Sequence, residues 1–176
     1  MMPSVERTGF RMSIAVYPGS FDPITLGHLN IIKRASKVFD RVIVCVMVNS
    51  TKHYLFPIEE RMELLRTVLV DLPNVEIDHS EGLVAAYCER RNSGVLVKGL
   101  RAISDYEAEV QMAIINRKLN PNLDTVFFPA NEKYTYISSS TVKEMARYGA
   151  DLTEFLPREI VEIVMEKYRG VKAHGN

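Results

Sequence analysis

The most constraining feature of the sequence is the order in which short apolar runs alternate with helical patterns. Val42–Val48 is apolar at every position, as expected of a strand that is buried on both faces of a parallel sheet. Leu26–Phe39, in contrast, carries its apolar residues at helical spacing. Strands that alternate with helices in this way pair in parallel through helical crossovers. The pattern therefore predicts an α/β protein.

Five strands and six helices can be predicted along the chain. The predicted strands cover residues 14–17, 42–48, 75–77, 95–97 and 125–128. The predicted helices cover residues 26–39, 58–70, 83–91, 106–119, 142–148 and 157–168, with Gly170 ending the last one. The predicted fold class is α/β, a doubly wound five-stranded parallel sheet with C-terminal helices. We expect a single domain over residues 12–170, with residues 1–11 as an N-terminal extension and residues 171–176 as a flexible tail.

Composition narrows the classes of function. Lys plus Arg and Asp plus Glu both total 22, so the formal net charge is zero and no basic excess supports nucleic-acid binding. No apolar run approaches the ~20 residues that cross a bilayer, and residues 1–11 lack the apolar stretch of a signal peptide. Cys45 and Cys88 lie far apart, which argues against a disulfide framework. We expect a cytoplasmic protein without nucleic-acid or membrane partners.

The segments that follow the predicted strands indicate where a ligand binds. In a doubly wound sheet, ligands bind at the carboxyl ends of the strands, near the point where the strand order reverses. Glycine, hydroxyl and basic side chains recur in the segments after the first, second, fourth and fifth strands, which are residues 18–23, 49–52, 98–101 and 129–140. This composition predicts an anion-binding site.

The segment after the first strand reads Pro18-Gly-Ser-Phe-Asp-Pro23, and Thr25-Leu-Gly-His28 then opens the helix. Gly19 lets a ligand approach the backbone, and the free N–H groups of a helix N-terminus favour phosphate. His28 adds an imidazole donor at the same point. Each part alone is more often a turn or a surface histidine, but the combination at this spacing indicates a phosphate site.

A second hydroxyl-rich segment, Ile137-Ser-Ser-Ser-Thr141, precedes the helix predicted over residues 142–148. Three hydroxyls and free amides at a helix N-terminus form a cradle for a triphosphate. An ordinary serine cap, aided by a capping box between Thr141 and Glu144, is the structural alternative, and both descriptions can hold.

Together these motifs resemble the nucleotidyltransferase superfamily with the (H/T)xGH motif, and more specifically the phosphopantetheine adenylyltransferase family. The matching segments are Ala15–His28, Lys52, Val95–Arg101, Asp105–Glu109 and Tyr136–Ser140, so the resemblance covers nearly the whole domain. It implies a Rossmann-like fold and transfer of AMP from ATP to 4′-phosphopantetheine, which yields 3′-dephospho-coenzyme A and pyrophosphate. It also implies Mg²⁺ bound with ATP, direct in-line attack without a covalent enzyme intermediate, and a homohexamer.

The resemblance implies a role for each site residue. His28, Lys52 and Arg101 are expected to be catalytic. The acceptor is expected to contact Ser20, Lys52, Val84 and Lys98. ATP is expected to contact Ser20, Phe21, His28, Gly99, Leu100, Arg101, Glu109, Tyr134, Thr135, Tyr136, Ile137, Ser138, Ser139 and Ser140. No residue is expected to bind a metal directly.

One departure and two alternatives accompany this hypothesis. Lys98 stands where the family usually has arginine, which keeps the charge but loses a bidentate fork. A different nucleotidyltransferase, acting on nicotinamide mononucleotide or a phosphoalcohol, is the nearest alternative. A non-catalytic nucleotide sensor of the same fold is the alternative of another class. The sequence contains no Gly-x4-Gly-Lys-[Ser/Thr], which argues against a Walker-type kinase.

Overall fold

The computed structural model describes residues 13–49, 51 and 53–173. The strands within this part of the chain are β1 (Ile14–Gly19), β2 (Arg41–Val48), β3 (Val75–Glu81), β4 (Val95–Leu100) and β5 (Asp124–Pro129). The α-helices are α1 (Leu26–Val38), α2 (Ile58–Leu69), α3 (Val84–Arg90), α4 (Ile103–Leu119), α5 (Ser139–Arg147) and α6 (Val161–Ala173). Short 3₁₀ helices cover Glu132–Tyr134 and Arg158–Ile160.

The five strands form one parallel sheet in the order β3-β2-β1-β4-β5. The chain builds outward from β1 to β3 and then returns to place β4 on the other side of β1. The strand order therefore reverses between β1 and β4, and the carboxyl ends of these two strands are where such a fold binds its ligands. The predicted doubly wound five-stranded α/β sheet is confirmed.

Apolar layers cover both faces of the sheet. Val44 of β2 packs in one layer with Ile32 of α1 and Leu65 of α2, whereas Ile43 packs in the other with Cys88 of α3. Successive strand residues point to opposite faces, so both layers draw on the same strand. This arrangement explains why the β2 sequence is apolar throughout. Cys45 and Cys88 are both buried and free.

The predicted elements exist, and the differences lie at their ends. β3 continues to Glu81 instead of ending at Ile77, because the backbone of its second half still pairs with β2 although the side chains there are polar. The prediction that Gly170 ends the last helix is wrong, since α6 continues to Ala173. A glycine costs only about 1 kcal/mol in a helix, which is too little to force an end. The predicted extension, residues 1–11, lies outside the described residues.

Within the described residues, no helix is both long enough and apolar enough to span a membrane.

Candidate active site

A cleft of about 390 Å³ opens at the carboxyl ends of β1 and β4. It lies at the switch point of the sheet, where the sequence predicted an anion site. Many of the predicted site residues line it, namely Ser20, His28, Lys98, Gly99, Arg101, Glu109, Tyr134, Ile137, Ser138, Ser139 and Ser140. The cleft therefore brings together segments that are more than 100 residues apart in the chain.

The buried aromatic ring of Phe21 packs beneath the loop after β1, on the side away from the cleft lining. Phe21 has a φ of +45°, a backbone conformation that is rare outside glycine and that persists only where the surrounding packing enforces it. Its buried ring packs edge-on against Tyr17 at 5.5 Å and against His28 at 5.1 Å, measured between ring centroids. A Cβ added to Gly19 would come within 2.9 Å of the same ring. The Phe21 ring thus supports His28, and only the Phe21 backbone can face a ligand.

His28 is fixed by a capping box at the start of α1. The Thr25 hydroxyl accepts a hydrogen bond from the His28 backbone N–H at 3.3 Å, and the Thr25 backbone N–H donates to His28 Nδ1 at 3.2 Å. Because Nδ1 accepts a backbone N–H, a neutral His28 must carry its proton on Nε2. The first turn of α1 therefore fixes both the orientation and the tautomer of the ring.

The electrostatic surroundings keep His28 neutral. Burial, with a smaller contribution from the nearby Arg101 guanidinium, lowers the pKa of His28 from 6.5 to about 4. His28 lines the cleft and is partly buried. At neutral pH, His28 thus offers an uncharged N–H donor and has no free basic nitrogen with which to abstract a proton.

Arg101, just beyond β4, is anchored by two neighbouring elements. Asp105 of α4 accepts hydrogen bonds from Arg101 Nε at 2.9 Å and from Arg101 Nη2 at 3.1 Å. Arg101 Nη1 donates to the Ile137 carbonyl at 3.3 Å, just before α5. Two N–H groups of the guanidinium remain for a ligand after these contacts. Asp105 was not among the predicted site residues, although it opens the Asp105–Glu109 segment that carried part of the resemblance.

Lys98 makes a similar contact one turn further along α4. Its Nζ lies 3.0 Å from Glu109 Oε2, and both side chains are less than one-third exposed. The close approach of Lys98 and Arg101 at one strand end therefore does not require a bound anion for compensation, because Glu109 and Asp105 supply negative charge. A phosphate that enters the cleft competes with these carboxylates for the two cations.

Two of the three serines at the start of α5 make hydrogen bonds within the protein, and the third is exposed in the cleft. Ser138 is the N-cap, and its hydroxyl accepts the Thr141 backbone N–H at 3.0 Å. The Ser139 hydroxyl donates to the Pro23 carbonyl at 2.9 Å, which ties α5 to the loop after β1. Ser140 is exposed in the cleft. The N-cap is thus Ser138 and not Thr141, as the alternative with Glu144 would require, and its bond to the Thr141 amide leaves the earlier amides of the turn available to a ligand.

Some predicted residues do not line the cleft. Val84 begins α3 and packs against the second apolar layer. The Phe21 ring is buried beneath the loop, and Leu100, Thr135 and Tyr136 also lie outside the set of lining residues. Lys52 lies outside the described residues. The lining residues to which the resemblance assigned no ligand contact are Tyr17, Pro18, Gly19, Thr25, Gly27, Ile31, Asp105 and Ala130.

The carboxylates of the cleft are paired with cations instead of being grouped together. Asp105 and Glu109 contact Arg101 and Lys98, respectively. Across the part of the chain that the structure describes, no group of three or more His, Cys, Asp or Glu side chains is placed to hold a metal ion.

The switch-point cleft combines a neutral histidine donor, two cations and a helix N-terminus, an arrangement that suits the binding of a nucleotide's phosphates. The cytidylyltransferase-like family model matches residues 16–145. A solved structure described as a nicotinate-nucleotide adenylyltransferase from Vibrio parahaemolyticus matches with a TM-score of 0.69 over 90% of this chain and 96% of that one. At 18% identity, that match supports the fold alone.

Curated relatives identify the family. A phosphopantetheine adenylyltransferase from Caldanaerobacter subterraneus is 50% identical over 90% of this chain and 99% of the relative. One from Desulforudis audaxviator is also 50% identical, over 93% of this chain and 100% of the relative. The chain belongs to the phosphopantetheine adenylyltransferase family and is a nucleotidyltransferase enzyme.

Proposed function

We propose that this enzyme transfers AMP from ATP to 4′-phosphopantetheine, giving 3′-dephospho-coenzyme A and pyrophosphate, a step of coenzyme A biosynthesis. Membership of the family supports the substrate pair. The observation that carries the proposal is the convergence of the His28 donor, Arg101 and the start of α5 on one cleft at the switch point.

The proposed reaction is a direct in-line displacement. An oxygen of the acceptor phosphate attacks the α-phosphorus of ATP and forms the new P–O bond while the bond between the α-phosphorus and the bridging oxygen breaks. Pyrophosphate leaves with that oxygen. The attacking phosphate is already an oxyanion, so the reaction needs no general base. This fits a cleft whose carboxylates, Asp105 and Glu109, are paired with cations and whose histidine is held as a donor.

Catalysis then consists of positioning and charge stabilisation. His28 donates its Nε2–H to an oxygen of the α-phosphoryl group, where negative charge grows in the transition state. The two free N–H groups of Arg101 bind the same phosphates, and Lys52 adds a second positive charge. Because the capping box fixes the His28 ring before substrate binds, little reorganisation accompanies the reaction.

The two substrates occupy different walls of the cleft in this proposal. The adenosine and triphosphate of ATP lie along the end of β4 and the start of α5, against Gly99, Leu100, Arg101, Glu109 and Tyr134–Ser140. The acceptor phosphate lies against Ser20, Lys52 and Lys98, and its arm extends toward Val84 at the start of α3. Phosphate binding by Lys98 requires this side chain to exchange its contact with Glu109 for one with the ligand.

Mg²⁺ enters with ATP in this account. Magnesium in nucleotide-binding sites is held largely by phosphate oxygens and water, with few protein ligands. This fits a cleft whose two carboxylates are already engaged by Lys98 and Arg101. When bound, the ion would neutralise charge on the triphosphate.

We further propose that the protein is a cytoplasmic homohexamer. Two free cysteines are compatible with a reducing compartment. Helix α4 exposes large apolar side chains that a subunit interface would cover, namely Ile103, Met112, Ile114, Ile115 and Leu119. Sedimentation equilibrium should give six times the chain mass of 20.0 kDa, and a monomer would contradict this part of the proposal.

The function is tested by a pyrophosphate-release screen over phosphorylated acceptors. With Mg²⁺ and ATP, 4′-phosphopantetheine should support release far above that of nicotinamide mononucleotide or a phosphoalcohol. Preference for one of those acceptors would reject the substrate assignment. The absence of a covalent intermediate is tested separately, because labelled pyrophosphate should not exchange into ATP until the acceptor is added.

A further inference from the structure

Asp22 is a buried carboxylate in the loop after β1 that the proposed chemistry does not use. Its side chain is 2% exposed. Oδ2 accepts the Leu55 N–H and Oδ1 accepts the Phe56 N–H, both at 2.9 Å. Oδ2 also lies 2.9 Å from Lys143 Nζ on α5. One buried carboxylate thus joins three separate parts of the chain.

Two of the three parts, the β1 loop and the start of α5, contribute residues that line the cleft. Asp22 directly follows Ser20 and Phe21, and the next residue, Pro23, accepts the Ser139 hydroxyl. Lys143 lies one turn beyond Ser138–Ser140 on α5. Leu55–Phe56 connects β2 to α2. The Asp22–Lys143 ion pair therefore joins the β1 loop, whose Ser20 the proposed function assigns to the acceptor phosphate, to the start of α5, which it assigns to the triphosphate of ATP.

We propose that the Asp22–Lys143 ion pair is a positioning device that sets the distance and angle between the β1 loop and the N-terminus of α5, and thereby aligns the α-phosphorus for attack. This inference rests on the proposed function for its kinetic consequence and on the contacts above for its geometry. Asp22 is thereby a positioning residue, since it acts through the backbone of the loop and through α5.

The contacts of Asp22 argue against a direct role at the substrates. Both of its oxygens are occupied by donors from the protein, and it is too buried to offer a free oxygen to a metal ion or a phosphate. A carboxylate that binds two backbone amides and one lysine fixes the relative placement of all three. Loss of Lys143 would leave the buried Asp22 carboxylate with its two backbone N–H donors and without a cation, whereas Lys143 itself is 27% exposed at its side chain.

The test compares single and double variants by kinetics and by ATP binding. Lys143→Met keeps both backbone hydrogen bonds of Asp22 and removes only the link to α5. Asp22→Asn replaces one carboxylate oxygen by an amide N–H₂ group, which cannot accept the hydrogen bonds that this oxygen accepts. Lys143→Arg restores a cation, and the double variant Asp22→Asn with Lys143→Met measures coupling. Arg91→Met is the control, because Arg91, which directly follows α3, pairs with Asp78 and Glu76 of β3 at the same 27% side-chain exposure and does not line the cleft.

Misalignment by about 1 Å costs on the order of 100-fold in rate, so Lys143→Met should lower kcat about 10- to 100-fold. The dissociation constant for ATP should rise, while KM for the acceptor should change by less than about threefold. Lys143→Arg should regain at least part of kcat, and the double variant should be no slower than the slower single one, because the two residues act as a unit. Arg91→Met should keep kcat even where its melting temperature falls.

Two results would overturn the inference. The first is that folded Lys143→Met keeps the turnover and ATP affinity of the wild-type protein. The second is that Arg91→Met loses as much kcat as Lys143→Met does when the two variants have lost the same amount of melting temperature. Lys143→Met decides the question even where Asp22→Asn does not fold. Failure of the proposed function is distinguishable, because a wild-type protein that binds ATP and ignores phosphopantetheine still allows the ATP affinities of the variants to be compared.

Discussion

Replacement of His28 by alanine should separate catalysis from folding. The ring makes a capping contact, in which Nδ1 accepts the Thr25 backbone N–H at 3.2 Å and also lies 3.2 Å from the Thr25 hydroxyl, and it offers one donor to the cleft, Nε2–H. The first belongs to the helix cap, and the proposed mechanism uses the second. The two losses should therefore appear in different measurements.

The expected magnitudes differ clearly. One capping hydrogen bond contributes about 0.5–1.5 kcal/mol to the free energy of unfolding. Alanine offsets a few tenths of a kcal/mol of this loss, because its helix propensity is higher than that of histidine. A net loss of up to about 1 kcal/mol lowers the melting temperature of a chain of this length by about 2–4 °C. Loss of an oxyanion-type donor, in contrast, reduces kcat about 10²–10³-fold, or roughly 3–4 kcal/mol in activation free energy.

The assay is steady-state pyrophosphate release with each substrate varied in turn, next to thermal unfolding of the same samples. The loss should fall mainly on kcat, because the donor acts on charge that develops in the transition state. His28→Gln is the matched variant, since its amide N–H₂ can replace the Nε2 donor and should recover part of the rate. Near-normal turnover in folded His28→Ala would refute the role assigned to this residue.

Three further predictions follow from single contacts. Lys98→Ala should raise KM for 4′-phosphopantetheine much more than KM for ATP, and Lys98→Arg should be tolerated; an effect on ATP alone would reverse the two subsites. Gly19→Ala should lower the free energy of unfolding by about 1–3 kcal/mol, because the new Cβ would meet the Phe21 ring at 2.9 Å. Gly27→Ala, whose Cβ meets nothing nearer than 3.5 Å, should be neutral or should stabilise helix α1 by up to about 1 kcal/mol, so equal melting temperatures of the two variants would contradict this. Stability should fall as pH drops from 6.5 toward about 4, because unfolded His28 takes up a proton before folded His28 does, and thermal unfolding of His28→Ala over this range should lack that part of the decline.

The fold was predictable because its signals are local and agree with one another. The apolar β2 run requires burial on both faces, and the helical periodicity around it supplies the two layers. The polar half of β3 was missed, because pairing with β2 extends this strand without any apolar pattern of its own. The end of α6 was misplaced, because one glycine is a weak signal against continued helix.

The site was predictable in its segments but not in its contacts. Strand ends and helix starts indicated which stretches of sequence meet at the switch point. The sequence could not show that Asp105 and Glu109 neutralise Arg101 and Lys98, because this depends on the rotation of α4 over the end of β4. Val84 was placed by resemblance alone, and it lies outside the cleft, against the second apolar layer. The role predicted for Lys52 stays a prediction.

The most direct test of the account is the mass of the product formed from ATP and 4′-phosphopantetheine. The purified protein, given both substrates with Mg²⁺, should form 3′-dephospho-coenzyme A and pyrophosphate in equal amounts, and His28→Ala should form far less over the same time. A protein that binds ATP and yields no adenylylated phosphopantetheine, or that adenylylates nicotinamide mononucleotide in its place, would contradict the central claim.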